Sequence, residues 1–334
     1  VAAAAGVVVF ALTGFSAMAS EPQGKPATTS GGKTTEPGDL MQEPEAKPST
    51  SKFGEPAKVG LLFEDHQAVA GEVMNLGITF DLKPDWHVYW PGINDTGLPP
   101  KWTLTLPKDW KELPAVWPVP HRSVLPGDIV DHVLDGKVTI RVPIMVPANA
   151  KADVVETISA KIDWMVCNEA CLLGEGAFKV SVPMAAAGTK PGKDVSAAPG
   201  KGAGRVAAVK EAKKLPTDGS VTAVIEDGKL VIAAQGGPYE KPAKIEYMPA
   251  AGTRKPADMV KGVTANGDKL TVSFDADQSA DAPARGVVKV EWYTATSHRG
   301  SRAGPEYYSI DLSPTAKPAT SPAAMPAEKP PVTK

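Results

Sequence analysis

The 334-residue chain carries two thiols, and they stand together. Cys167 and Cys171 lie in the run Ile162-Asp163-Trp164-Met165-Val166-Cys167-Asn168-Glu169-Ala170-Cys171-Leu172. A bridge closing so short a loop adds only about 2 kcal/mol on the loop-entropy account, and strained or exposed bridges are the ones readily reduced. The pair therefore reads as redox chemistry first and structural staple second. Were 164–172 helical, the Cβ atoms would sit roughly 5–6 Å apart, beyond the roughly 3.5–4.5 Å of a disulfide. If Asn168-Glu169-Ala170 form a hairpin loop instead, the cysteines face each other across neighbouring strands, with Cα atoms about 4.5 Å apart. Strand-like Ile162–Val166 and Ala177–Val182 on the two sides favour the hairpin and place the pair at an exposed end of a sheet.

No Lys, Arg or His lies between the cysteines, and the carboxylate of Glu169 disfavours a neighbouring thiolate. A shielded, protonated thiol suits a carrier that releases electrons only to a docked partner. Two rival uses of the pair stay open. One is a local staple in a non-catalytic binding module. The other is a copper-binding or chaperone site in which Cys167 and Cys171, with His87, His121 or His132, hold Cu(I) or zinc. Against the metal reading, no βαβ pattern surrounds the cysteines and no histidine stands at a fixed short spacing from them. There is no Ser/His/Asp arrangement or phosphate loop, and no cofactor is implied.

The elements that must position this pair read as strands. With 33 Pro and 31 Gly, long helices are scarce, and a net charge of -2 gives no electrostatic case for nucleic acid. From 57 to 184, short β-rich runs alternate with turn signals: Val73–Phe80, Trp86–Trp90, Val138–Val142, Thr157–Trp164 and Ala177–Val182. On the first, Met74, Leu76, Ile78 and Phe80 share one face. From 219 to 312 the pattern recurs, with Val221–Ile225 and Leu230–Ala234 flanking an Asp227-Gly228 hairpin turn. Lys244–Tyr247, Leu270–Phe274, Val287–Tyr293 and Tyr307–Leu312 follow. The expected fold is all-β: two immunoglobulin-like antiparallel sandwiches over 57–184 and 219–312. The Trp residues read as core. Residues 20–56, 185–218 and 313–334 are rich in Pro, Gly, Ala, Thr and Lys and read as disordered linkers and a tail; 205–210 carries a weak helical pattern.

Residues 1–19 are uncharged and run through Val7-Val8-Val9-Phe10-Ala11-Leu12 to Ala17-Met18-Ala19, the pattern of a secretory signal peptide cleaved before Ser20. The expectation is a periplasmic or otherwise exported soluble protein; the rival is an uncleaved N-terminal membrane anchor. The chain opens on Val without a basic n-region, which leaves its true start open.

In order and spacing, several stretches between 70 and 182 resemble the N-terminal periplasmic domain of the thiol:disulfide interchange reductase DsbD, in its ScsB-like branch. They are Trp86-His87-Val88-Tyr89-Trp90, Pro91-Gly92 with Gly97-Leu98-Pro99, Trp117-Pro118-Val119-Pro120-His121-Arg122, and Trp164–Cys171 with Gly174-Glu175. Ile245–Pro249 and Tyr307–Ile310 resemble the sandwich that follows in that branch. The resemblance implies an immunoglobulin-like domain whose Cys167–Cys171 pair takes electrons from a membrane-embedded thiol reductase. It then reduces periplasmic thioredoxin-like or cytochrome-maturation proteins, as a protein-disulfide reductase. It places His87 and Tyr89 beside the pair; Glu169, between the cysteines, and His132 are further candidate neighbours. It also implies a short cap loop, matched to Ile129–Gly136, here without an aromatic cap residue. With neither the membrane domain nor the thioredoxin-like domain of that family, the expectation is a stand-alone acceptor or a fragment.

Overall fold

The computed structural model describes residues 55–63, 67–189, 210–235, 241–279, 282–293 and 304–313. The signal-peptide reading, nearly all of the 20–56 linker and 313–334 tail, and the weak helical pattern at 205–209 fall outside these residues. Every described element is a strand, and no helix among the described residues is long and apolar enough to cross a membrane.

The first half contains β1 (Ala57–Phe63), β2 (Ala68–Val69), β3 (Val73–Leu82), β4 (His87–Tyr89), β5 (Lys101–Thr105), β6 (Lys111–Glu112), β7 (His121–Leu125), β8 (Ile129–Asp135), β9 (Lys137–Met145), β10 (Val155–Cys167) and β11 (Cys171–Ala185). One sheet runs β1-β3-β9-β6. The other runs β2-β11-β10-β4-β8-β7, with β5 also paired to β10. Period-two alternation builds the core between them. Met74, Leu76, Ile78 and Phe80 of β3 and Val138, Ile140, Val142 and Ile144 of β9 face Ile158, Ala160 and Ile162 of β10 and Phe178, Val180 and Val182 of β11, all buried. Trp86, Trp90 and Trp110 are also buried, and Trp102, Trp117 and Trp164 pack against this core half-covered.

The second half contains β12 (Lys213–Lys214), β13 (Val221–Glu226), β14 (Lys229–Ala234), β15 (Lys241–Pro249), β16 (Thr264–Asn266), β17 (Lys269–Val272), β18 (Ala284–Tyr293) and β19 (Glu306–Leu312). A sheet β12-β19-β18-β15-β16 covers a sheet β13-β14-β17. Asp227 and Gly228 turn the β13–β14 hairpin with φ of 48° and 75°, the left-handed pair that a type I′ turn requires. Ile245, Tyr247, Val288, Val290 and Trp292 fill this second core.

The two sandwiches touch. Met248 of β15 and Val287 of β18, on the outer face of the five-stranded sheet, belong to the first core cluster. The Arg122 side chain, only 10% exposed, reaches from β7 into the second sandwich. It donates from Nε to Glu246 Oε1 (3.0 Å), from Nη1 to the carbonyls of Met259 (2.9 Å) and Val260 (2.8 Å), and from Nη2 to Thr264 Oγ1 (3.0 Å).

Candidate functional site

Strands β10 and β11 form one long hairpin whose register ends on Cys167 opposite Cys171, joined as a disulfide with Cα atoms 4.1 Å apart. Asn168-Glu169-Ala170 is the loop, with Glu169 exposed at its tip. Cys167 also pairs with His87 of β4, and His87 with Asp135 of β8. Paired residues, and residues two apart on a strand, project from the same face. The face carrying the disulfide therefore also carries Met165 and Leu173, Tyr89 and Val133, and His87, Asp135 and His121.

The two sulfurs sit in different surroundings. Cys167 is 2% exposed, packed with Tyr89, Val133 and Met165. Cys171 is exposed on the rim, beside Leu173 at 78% exposure. The Tyr89 hydroxyl lies 4.0 Å from Cys171 Sγ and 3.3 Å from Thr96 Oγ1. Thr96 Oγ1 donates its one hydrogen to Asp131 Oδ2 (2.6 Å), so toward Tyr89 it can only accept. Tyr89 is then the donor, with Cys171 Sγ as its alternative acceptor. Burial raises the Tyr89 pKa and the Thr96 bond opposes that shift, so the hydroxyl keeps its proton near neutral pH.

The loop Ile93–Leu98 holds this arrangement. The backbone N–H groups of Asp95 (3.0 Å) and Thr96 (3.1 Å) donate to Asp131 Oδ1. Val130 N–H donates to Asp95 Oδ2 (2.7 Å), and His132 N–H to Asn94 Oδ1 (2.7 Å). His132 Nδ1 lies 2.9 Å from the Ile93 carbonyl; a carbonyl only accepts, so Nδ1 carries the proton. Gly97 lies flat on the Tyr89 ring, and a Cβ there would come within 2.0 Å of the ring carbon Cζ. Glycine is required by close approach rather than by backbone conformation.

Of the residues singled out in the sequence, Cys167, Cys171, His87 and Tyr89 come together. The His87 and Tyr89 rings meet edge to face, centroids 5.2 Å apart, and burial leads in lowering the His87 pKa, so its imidazole is neutral at pH 7. His121 lies two strands away, with Nδ1 3.6 Å from Asp135 Oδ2 and both side chains more than half exposed. His132 projects from the other face of β8, toward Trp90, with ring centroids 6.3 Å apart. The stretch Ile129–Asp135, expected as a cap loop, is strand β8; the loop lying on the tyrosine beside the pair is Ile93–Leu98. Among the described residues no group of three or more His, Cys, Asp or Glu side chains is arranged to hold a metal ion.

Asp131, Thr96 and Arg122 were not singled out as site residues. A signal for Asp131 existed: it is a charged residue inside the apolar run Ile129–Leu134, and such a residue, when buried, must be paired. It is 2% exposed and accepts three hydrogen bonds.

Residues 59–183 match the family described as thiol:disulfide interchange protein DsbD, N-terminal. No curated protein matches the chain. Among solved structures, the N-terminal periplasmic domain of ScsB from Proteus mirabilis aligns at 14% identity, over 80% of this chain and 98% of that one, with a TM-score of 0.46. The major pilin subunit BcpA of Bacillus cereus aligns at 11% identity over 78% and 67%, TM-score 0.24. The periplasmic chaperone SfaE aligns at 8% identity over 74% and 97%, TM-score 0.20. The part of the chain that matches the DsbD N-terminal family, residues 59–183, thus holds the Cys167–Cys171 disulfide.

Proposed function

We propose that the protein is an exported thiol–disulfide carrier. It takes two electrons at Cys167–Cys171 from a membrane-embedded thiol reductase and passes them to disulfide-bonded thioredoxin-like or cytochrome-maturation proteins. The modules are the redox sandwich over 57–184 and the second sandwich over 219–312, exported by residues 1–19. The observation that carries the reading is the asymmetry of the pair: one sulfur on the rim, the other buried against Tyr89.

That asymmetry supports one order of steps. To be reduced, the pair is attacked at Cys171 Sγ by a donor thiolate. A donor–Cys171 bond forms, the Cys167–Cys171 bond breaks, and Cys167 leaves with the electron pair and takes up a proton. The donor's second thiolate then attacks the donor sulfur of the mixed disulfide and expels Cys171 as a thiolate. Burial disfavours a thiolate at Cys167, whereas Cys171 is solvated and has the Tyr89 hydroxyl as donor. Cys171 is thus the attacking thiolate in the forward direction. It bonds to one sulfur of the partner's disulfide and the partner's other sulfur departs as a thiolate; Cys167 then gives up its proton and attacks Cys171 Sγ, the Cys171–partner bond breaks, and the partner's second sulfur leaves as a thiolate, so the partner is released reduced. Exposed Leu173 gives the partner an apolar foothold beside the reacting sulfur.

The test is trapping. With Cys167→Ser, Cys171 attacks but cannot be released, so the variant accumulates reductant-sensitive adducts from an extract of exported proteins. Cys171→Ser accumulates few. Trapping by neither leaves the disulfide as a structural staple, and equal trapping by both overturns the assignment of Cys171 as the attacking thiol.

A further inference from the structure

The second sandwich has no counterpart in the redox chemistry described above, yet it grips the loop on which that chemistry depends. At the far end of β15, the Pro249–Ala251 segment runs antiparallel to Pro91–Ile93. Gly92 bridges to Ala250, Ile93 N–H donates to the Pro249 carbonyl (3.1 Å), and Ala251 N–H donates to the Pro91 carbonyl (2.9 Å). These are the residues that lead directly into Asn94–Leu98. A second grip lies one strand over. Arg122 is paired in register with His132, whose ring and backbone hold Ile93 and Asn94, and Arg122 is tied to the second sandwich by four donor contacts. From there the contacts continue through Asp131 and Thr96 to Tyr89 and Cys171.

We propose that the second sandwich is a positioning element of the thiol site, clamping Pro91–Leu98 against Tyr89 so that Cys167 stays covered and Cys171 alone meets a partner. The inference rests on Cys171 being the reacting thiol. Tyr89 packs with Cys167, and Gly97 lies directly against its ring. A loop released at its root frees the ring, and with it the cover on the buried sulfur. Pro249 and Glu246 are therefore positioning residues rather than reacting ones, as is Arg122.

The experiment removes one clamp contact at a time in the full chain. Ala251 is exposed and precedes Gly252, whose φ of 71° fits the third position of a type II turn. The position before it accepts proline. Ala251→Pro therefore deletes the N–H that holds Pro91 with little cost to the turn, and Ala251→Ser keeps it. Arg122→Met removes the second grip. The readout is the ratio of iodoacetamide labelling rates at Cys171 and Cys167 in the reduced protein, mapped by mass spectrometry, with a thermal melt of each variant alongside. Wild type and Ala251→Ser label Cys171 preferentially. Ala251→Pro and Arg122→Met lose that preference by about tenfold, because reactivity follows exposure and local opening. A ratio that stays at the wild-type value in Ala251→Pro, whether or not its melting temperature falls, overturns the proposal and leaves the second sandwich a stabilising appendage. Should Arg122→Met not fold, Ala251→Pro still decides. Lost preference in the clamp variants, with no trapped partner for Cys167→Ser, would refute the carrier role and leave the clamp standing.

Discussion

The His132 imidazole lies under the loop root, 0% exposed, with Nδ1 committed to Ile93 and Nε2 without a hydrogen-bond partner. Protonating it would charge a ring that is cut off from water. Burial accordingly lowers its pKa from 6.5 to about 4; the Ile93 bond opposes the shift, Arg122 adds to it, and Asp131 and Glu246 oppose it. The consequence for stability has a definite sign. Between pH 6.5 and 4 the unfolded chain holds a proton on this residue that the folded chain does not. The contribution of neutral His132 is present in full above pH 6.5 and is lost as the pH falls toward 4. Each tenfold change in proton affinity is worth about 1.4 kcal/mol, so the gap from 6.5 to about 4 amounts to roughly 3 kcal/mol, a large share of the roughly 5–15 kcal/mol that holds a domain folded. The perturbation is His132→Asn, whose amide can still donate to the Ile93 carbonyl but does not titrate. Urea unfolding of both proteins at pH 7, 5.5 and 4 isolates the histidine, since the carboxylate background is common to both. Wild type should lose about 3 kcal/mol more than His132→Asn across that range. Parallel losses would refute the reasoning, and would mean that water reaches Nε2 in the folded state.

Two further substitutions probe the same corner. Gly97→Ala places a methyl within 2.0 Å of the Tyr89 ring; overpacking of this kind costs about 1–3 kcal/mol. The displaced ring should expose Cys167 to iodoacetamide, and unchanged melting with unchanged labelling would show that the loop yields instead. Tyr89→Phe keeps the ring and removes the donor to Thr96 and Cys171, at about 1 kcal/mol of stability. Its Cys171 labelling profile should move to higher pH, because the thiolate has lost a hydrogen bond; an unmoved profile would take the hydroxyl out of the chemistry.

What the sequence made legible follows from period. On β3 the buried set Met74, Leu76, Ile78 and Phe80 alternates with exposed or half-covered neighbours apart from Gly77, so one face could be read off directly. The Asp227-Gly228 turn is equally local. The hairpin holding the cysteines was legible because helix geometry strains a four-residue spacing that adjacent strands satisfy. β8 was not, and its residues were read as a loop. Val130, Asp131, His132, Val133 and Leu134 are all buried, because one face meets the core and the second sandwich while the other is covered by Ile93–Leu98. A strand covered on both faces has no alternation to show, and two polar residues in its middle look like loop. The clamp was further out of reach: Arg122 and Glu246 are 124 positions apart, and neither has a local pattern that names its partner.

Two effects favour Cys171 as the reacting sulfur, and their sizes differ. A hydroxyl donor 4.0 Å from Sγ in the oxidised state becomes a hydrogen bond only when a thiolate draws it in. Its worth is then that of a hydrogen bond to a charged group, about 1.5–3 kcal/mol at most, less what Tyr89 gives up at Thr96. Taking a thiolate into the apolar pocket of Cys167 costs more, since an uncompensated buried ion carries a penalty of several kcal/mol. Cover on Cys167 therefore outweighs the donor on Cys171 in choosing the sulfur. The cover is supplied in part by Tyr89, which depends on Gly97 and hence on a loop rooted against Pro249. Selectivity on this domain is set by packing that spans both sandwiches rather than by a charged group beside the pair. Raising the salt concentration, which screens surface charges over about a Debye length, should accordingly leave the Cys171 preference intact, whereas loosening the loop removes it.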